Sequence, residues 1–259
     1  MPYPLLAHQA VVLPLKAWRP NYFNGTALVV GSIAPDLEYL GSSKPRITGF
    51  GHSLEGQFLF CLPITLGVVL YIGRLRIGDT LASRLGWPLI AGAATDTNGV
   101  DGVFKVIMSA LAGSFSHIAL DLLTHRMAPK WFHFIGVIRW HGQVLNATAI
   151  AQLVLSIVCG LFTVVVLFRM IKRAEPAPPP RSDGRMLLML AALAGAIVGG
   201  WRVRPAFKDP NLYFYAAHIY VWGHALFHVV CGISVAWLVA GGYLSWRDAR
   251  EAQPRPAPG

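Results

Sequence analysis

Five stretches of this chain, approximately residues 57–73, 103–124, 149–168, 187–201 and 213–244, are apolar over a length that crosses a bilayer. A hydrocarbon core takes roughly 20 apolar residues in a helix, and only helices or closed barrels satisfy their own backbone polar groups inside it. The expected fold is therefore all-α, a polytopic helical membrane bundle of about five transmembrane helices. Charged residues are 13% of the chain, against about 25% in an average soluble domain, too few for a water-facing surface. The fourth run is short for a span and is expected to tilt, thin the bilayer or extend into its flanks. The fifth is over-long and carries Gly223, Gly232, Gly241 and Gly242, which fits a kink or close helix packing.

Before the first span, MPYPLLAHQAVVLPLKAW lacks the basic start of a secretory signal and is broken by Pro14, so it reads as retained and structural. The amphipathic segment to Trp18, an Asn24-Gly25 turn and an apolar run over 27–34, closed by Pro35 and Asp36, are too short to cross. They read as an interfacial or re-entrant helical segment capping the bundle. Residues 1–170 then form a core with three transmembrane helices, 171–186 a Pro-rich polar linker, 187–245 two further helices and 246–259 a disordered tail.

The formal net charge of +10 invites a nucleic-acid reading, but the basic residues lie mostly between the apolar runs and form no stripe with interleaved aromatics. The partners expected are membrane lipids, not nucleic acid. The densest basic loop, Arg169, Lys172, Arg173, Arg181 and Arg185, belongs inside by the positive-inside tendency. Counting helices from it puts Arg74, Arg76, Arg84, Arg247 and Arg250 on the same side and the amino terminus outside. Cys61, Cys159 and Cys231 lie within apolar runs without CxxC spacing, which argues against a disulfide framework or a thiolate zinc site.

Chemistry concentrates in SHIALDLLTH, residues 116–125. A spacing of four sets His117, Asp121 and His125 along one helix face, the way a helix offers adjacent ligands to a metal. Ionisable groups in an apolar span are costly and by default mark a functional site. His117 and His125 are about 12 Å apart along the axis, so one ion cannot take all three. The competing reading puts Asp121 and His125 in the headgroup region, with His117 bonded to a neighbouring helix. His8, Asp36 in GSIAPDLEY and His52 in GFGHSLEG complete a mixed His/Asp set that suits Zn²⁺, or Mn²⁺ or Fe²⁺ in a two-metal site. His224 and His228 repeat the spacing of four, with His218 before them. The aromatic crowding of Tyr220, Trp222, Phe227 and Trp237 favours interfacial histidines there, and His133 and His141 read as an interfacial belt. No Walker loop, GxSxG elbow, GxGxxG fingerprint or HExxH is present, which argues against nucleotide hydrolysis, serine hydrolysis and ordinary zinc proteolysis.

In order and spacing, PYPLLAHQAVVLPL, ALVVGSIAPDLEYL, GHSLEGQFLFCLPITL and LAGSFSHIALDLLTHRMAPKWF resemble an uncharacterised bacterial membrane family, domain-of-unknown-function family 4184, over roughly residues 1–170. That resemblance implies a bacterial cytoplasmic (inner) membrane protein and names no substrate. More distantly, the early His, the Pro-Asp, the His-Ser and the later HxxxD are similar to inner-membrane metal-dependent hydrolases. This likeness implies His8, Asp36, His52, His117 and Asp121 as metal ligands, and it departs at Gln9, where the motif has a small or polar residue.

The leading expectation is a membrane-embedded metal-dependent hydrolase of a lipid-linked or phosphoester substrate. Its cofactor is a divalent metal, Zn²⁺ first. Asp36 or Asp121 is then general base or bridging ligand, and His125 the acid that protonates the leaving group. The alternatives are a non-catalytic scaffold or assembly factor, and a small transporter that uses the His/Asp face as a path.

Overall fold

The computed structural model describes residues 5–41, 49–86, 99–124, 137–140, 143–174, 181–208 and 215–252. Among the described residues five helices are long and apolar enough to cross a bilayer: Leu54–Arg74, Asp101–Leu122, Val154–Arg173, Arg185–Val203 and Val221–Glu251. Their bounds fall within several residues of the apolar runs, because burial in hydrocarbon asks only for length and composition. The chain is a polytopic helical membrane protein.

In chain order the helices are α1 (Leu5–Trp18), α2 (Gly25–Ile33), a 3-10 helix (Ala34–Gly41), a 3-10 turn (Phe50–His52), α3 (Leu54–Gly56), α4 (Leu62–Arg74), α5 (Ile77–Leu85), α6 (Gly99–Thr124), α7 (Ala147–Arg173), α8 (Arg185–Val203) and α9 (Tyr215–Glu251). A π-helical turn over Gln57–Cys61 joins α3 to α4, so the first span is one continuous rod that widens near its start. One short antiparallel hairpin, Val137–Trp140 against Asn146 to Gln143, precedes α7.

The amino-terminal pair packs along the spans. α1 lies along α7, and α2 runs beside α6. The turn between α1 and α2 is held in place. Asn24 donates its backbone N–H to Ser109 Oγ (2.9 Å) while its side chain caps Ala27 N (2.9 Å), and Lys16 Nζ donates to the Pro20 and Phe23 carbonyls. Gly31 and Gly113 permit this closeness, because a Cβ at Gly113 would run into the backbone of Leu28 and Ser32.

The fourth span extends into its flanks, reaching 19 residues, and α9 is one unbroken helix of 37. Its glycines serve packing: Gly232 faces Gly195 of α8, and Gly199 of α8 meets the His228 backbone. One element lies where the sequence pattern showed only a basic loop. α5 is an amphipathic helix whose Ile77 and Leu81 pack with Leu188, Ala240 and Leu244. Arg84 on α5 is buried against Asp183 and Asp248 instead of reaching water. The tail expected from residue 246 is still helical to Glu251.

Candidate metal centre

The first span begins, and the second ends, at the same end of the bundle, so the loop before Leu54 and the last turns of α6 meet there. α6 presents His117 and Asp121 one turn apart, with Asp121 a single residue from the end of its span. The 3-10 helix that follows α2 brings Asp36, the turn Phe50–His52 brings His52, and the first turn of α1 brings His8. His8, Asp36 and His117 are buried, while His52 and Asp121 keep 14% and 15% of their side-chain surface.

The donor atoms form a closed ring. His52 Nε2 stands 3.6 Å from Asp36 Oδ1 and 3.4 Å from Asp121 Oδ2; His117 Nε2 stands 3.6 Å from Asp36 Oδ1 and 3.5 Å from Asp121 Oδ2. These are long for hydrogen bonds, and neither Nε2 has a hydrogen-bond partner although both atoms are buried. Tetrahedral ligands at about 2.1 Å from one ion stand about 3.4 Å apart, and the donors fall into two triads that share His117, one with His8 and Asp36 and one with His52 and Asp121, each with its ligand atoms within 4.8 Å of one another. His8 stacks on His117, centroids 3.8 Å apart and planes at 15°, and its ligand atom lies within 4.8 Å of those of Asp36 and His117.

What surrounds the donors orients them. His117 Nδ1 is 2.7 Å from the Ser32 carbonyl, and an N–H there leaves Nε2 with its lone pair aimed at the carboxylates. His52 Nδ1 is likewise 3.2 Å from Glu38 Oε1, whose other oxygen accepts the Gly51 N–H at 2.9 Å. Gln9 Nε2 donates to Ser32 Oγ at 3.1 Å and braces the segment whose carbonyl holds His117, so Gln9 has a structural part of its own. The loop bearing His52 is tied to the first span by Gln57 Nε2, which donates to the Gly51 carbonyl inside the π turn. Burial pushes the Asp36 carboxyl above its ordinary range; His117 and His52 pull it down, and Asp121 adds to the rise. Burial also raises the Tyr39 phenol, reinforced by Asp36, Glu38 and Asp121.

Five residues expected as ligands, His8, Asp36, His52, His117 and Asp121, thus converge on one pocket. His125, expected as the acid, lies outside the described residues, as do His133 and His141. His224 and His228 lie near the start of the fifth span. Both are buried in α9 with rings 4.4 Å apart, and His228 Nδ1 is 3.1 Å from the His224 carbonyl. The sequence reading passed over Glu38 and Tyr39. Both stand in the same GSIAPDLEYL stretch as Asp36, and a second acidic residue two positions after Asp36 was the available signal.

Comparison with curated proteins and with solved structures gives no match and lends no support to the likeness to membrane hydrolases. The family model described as a domain of unknown function (DUF4184) matches residues 1–245, which takes in every element just named and reaches past residue 170 through α8 and most of α9. The chain belongs to that family.

Proposed function

We propose that the protein is a metal-dependent hydrolase of the bacterial cytoplasmic membrane, acting on an ester of a lipid-linked or phosphate-bearing substrate at the outer end of the bundle. The observation that carries this reading is the ring of two imidazole nitrogens and two carboxylate oxygens at 3.4–3.6 Å, with neither nitrogen in a hydrogen bond. Asp36, His52, His117 and Asp121 would hold the ion, and Zn²⁺ suits such a nitrogen and oxygen set. When bound, a divalent ion supplies Lewis acidity at an ester oxygen and makes water a better nucleophile near neutral pH. The chain's own part is to fix the donors, keep bulk water from the buried side and accept a proton at a carboxylate oxygen. Hydrolysis adds water across the ester: the ester bond breaks, the head keeps the hydroxyl, and the alcohol leaves with the remaining proton. The partly exposed donors, His52 and Asp121, are flanked in sequence by exposed apolar side chains, Phe50 and Leu54 beside one and Leu122 beside the other. That setting favours a substrate that arrives from the bilayer.

In a scaffold the same His52 and His117 contacts with Asp36 and Asp121 would serve only as ion pairs between elements, and metal content separates the two readings. Elemental analysis of protein purified in detergent and dialysed against Zn²⁺ tests the centre: about one ion per chain is expected, lost in His117→Ala and Asp121→Ala. Chromogenic phosphodiesters and acyl esters, presented in mixed micelles, test the activity. Turnover that a chelator abolishes and Asp121→Asn lowers at least 100-fold is expected. Metal-free wild type, or bound metal with no turnover of either ester class, would sink the reading. Metal flux into proteoliposomes would replace it with transport.

A further inference from the structure

The groups that meet at the centre of the ring accept and do not give. Asp36 and Asp121 offer carboxylate oxygens, and His52 and His117 present Nε2 with Nδ1 already engaged. An ester under hydrolysis develops negative charge on oxygen, and a donor fixed in advance at that oxygen stabilises the transition state. The hydrolase reading names only His125 for proton donation.

Tyr39 fits the need. It is 1% exposed, and its hydroxyl is buried with no hydrogen-bond partner. Residues three apart in a 3-10 helix fall on one line, so within Ala34–Gly41 the side chain of Tyr39 issues from the same side as that of Asp36. Its ring stands tilted 39° to that of His52 with centroids 5.6 Å apart, and it packs with Phe227 and Cys231 of α9. The phenol is therefore wedged between α9 and the ring of donors, with its O–H unspent. A buried hydroxyl left unmatched opposes folding, and it persists where a ligand completes it.

We propose that Tyr39 is a catalytic residue, its hydroxyl donating a hydrogen bond to an anionic oxygen of a phosphate-type head bound at the Asp36, His52, His117 and Asp121 centre. This rests on the hydrolase reading and adds a donor to it. A tetrahedral phosphate suits the two demands together, since one oxygen meets the cation while another meets the phenol.

Full-length protein in nanodiscs, loaded with Zn²⁺, is titrated calorimetrically with inorganic phosphate, wild type beside Tyr39→Phe. Thermal melting of the metal-free forms supplies a readout of structure. Because the hydroxyl has no partner without ligand, Tyr39→Phe is expected to bind the metal normally and to melt at the same or a higher temperature, yet to bind phosphate at least about tenfold more weakly. Tyr39→Met, which removes the hydroxyl while filling the space differently, is expected to show the same loss. Tyr71→Phe, at the far end of the first span, is expected to bind phosphate as wild type does. Phosphate affinity within twofold of wild type in Tyr39→Phe overturns the proposal, and so does a lower melting temperature of that variant, the mark of a structural hydroxyl. Wild type that takes the metal but no phosphate overturns the Tyr39 assignment and leaves the metal centre standing; wild type that takes no metal overturns both. Glycerol 3-phosphate and its monoacylated form, titrated in turn, separate a soluble ester from a lipid head group. Tighter binding of the acylated form points to the lipid, equal binding to the soluble ester, and Tyr39→Phe weakens either one if the assignment holds.

Discussion

Glu38 shows how a single carboxylate decides what a histidine can do. One of its oxygens faces His52 Nδ1 and the other holds the Gly51 N–H, so it sets both the tautomer and the loop that carries the ring. With Nδ1 protonated, Nε2 is left as the ligand atom that faces Asp36 and Asp121. Glu38→Gln keeps the shape but gives up the charge. Its Zn²⁺ affinity, measured by competition with a chromophoric chelator, is expected to fall about 10- to 100-fold. A dissociation constant within twofold of wild type would remove Glu38 from the metal's support. Residue types and spacings were legible here: two ionisable residues one turn apart on an apolar helix stand out in any reading. The service of Glu38 was not, because an acidic residue in a polar connection looks solvated until its partner is known.

Between elements, the contact that matters most to the centre is α2 against α6. Gly31 sits on Ala110 and Gly113 on Leu28 and Ser32, so the backbones touch, and Ser32 can present its carbonyl to His117. A side chain at Gly113 must push the two helices apart. Gly113→Val is expected to cost about 1–3 kcal/mol, read as a lower melting temperature, and to weaken metal binding by disturbing the Ser32 to His117 hydrogen bond. Unchanged melting and metal affinity would show that α2 does not hold the histidine. Apolar length revealed the spans, yet α5 escaped notice because nine residues with Asp79 and Arg84 among them are too short and too charged for that signal. Its apolar face acquires meaning only against Leu188 and Leu244.

On the scale of the whole molecule, the two ends have opposite characters. One end gathers the histidines and carboxylates of the candidate metal site. The other is clamped by ions: Arg84 Nη2 meets Asp248 at 2.8 Å and Asp183 at 3.1 Å, Arg181 meets Asp248 at 3.3 Å, and Arg247 bridges Asp183 and Asp248. This clamp joins α5, the segment before α8, and α9, so three of the basic residues that counting placed on one side, Arg84, Arg181 and Arg247, meet on two shared aspartates. Hydrogen bonding from Arg247 and the nearby charge of Arg84 hold the Asp183 carboxyl below its ordinary value, about 4. The folded pKa is the lower one, so its contribution to stability is present above about pH 4 and is lost as the pH falls through the folded value. Melting temperature in detergent is expected to drop below pH 4 more steeply in wild type than in Asp183→Asn. Parallel curves would show that the clamp carries no acid sensitivity.

The primary structure alone determined the solvent this chain lives in. Runs of apolar residues long enough for a bilayer leave helices as the economical fold, whatever their neighbours, since each helix closes its own hydrogen bonds. It also singled out His117 and Asp121 as candidates, because an imidazole or carboxylate in such a run is costly unless it has a use. Only tertiary structure decided that residues as distant as 8, 36, 52, 117 and 121 share one pocket, that the α1–α2 pair packs along the spans, and that Glu38 and Tyr39 belong beside them. Those outcomes depend on which backbones approach within touching distance, and small residues such as Gly31 and Gly113 permit that approach without announcing the partner.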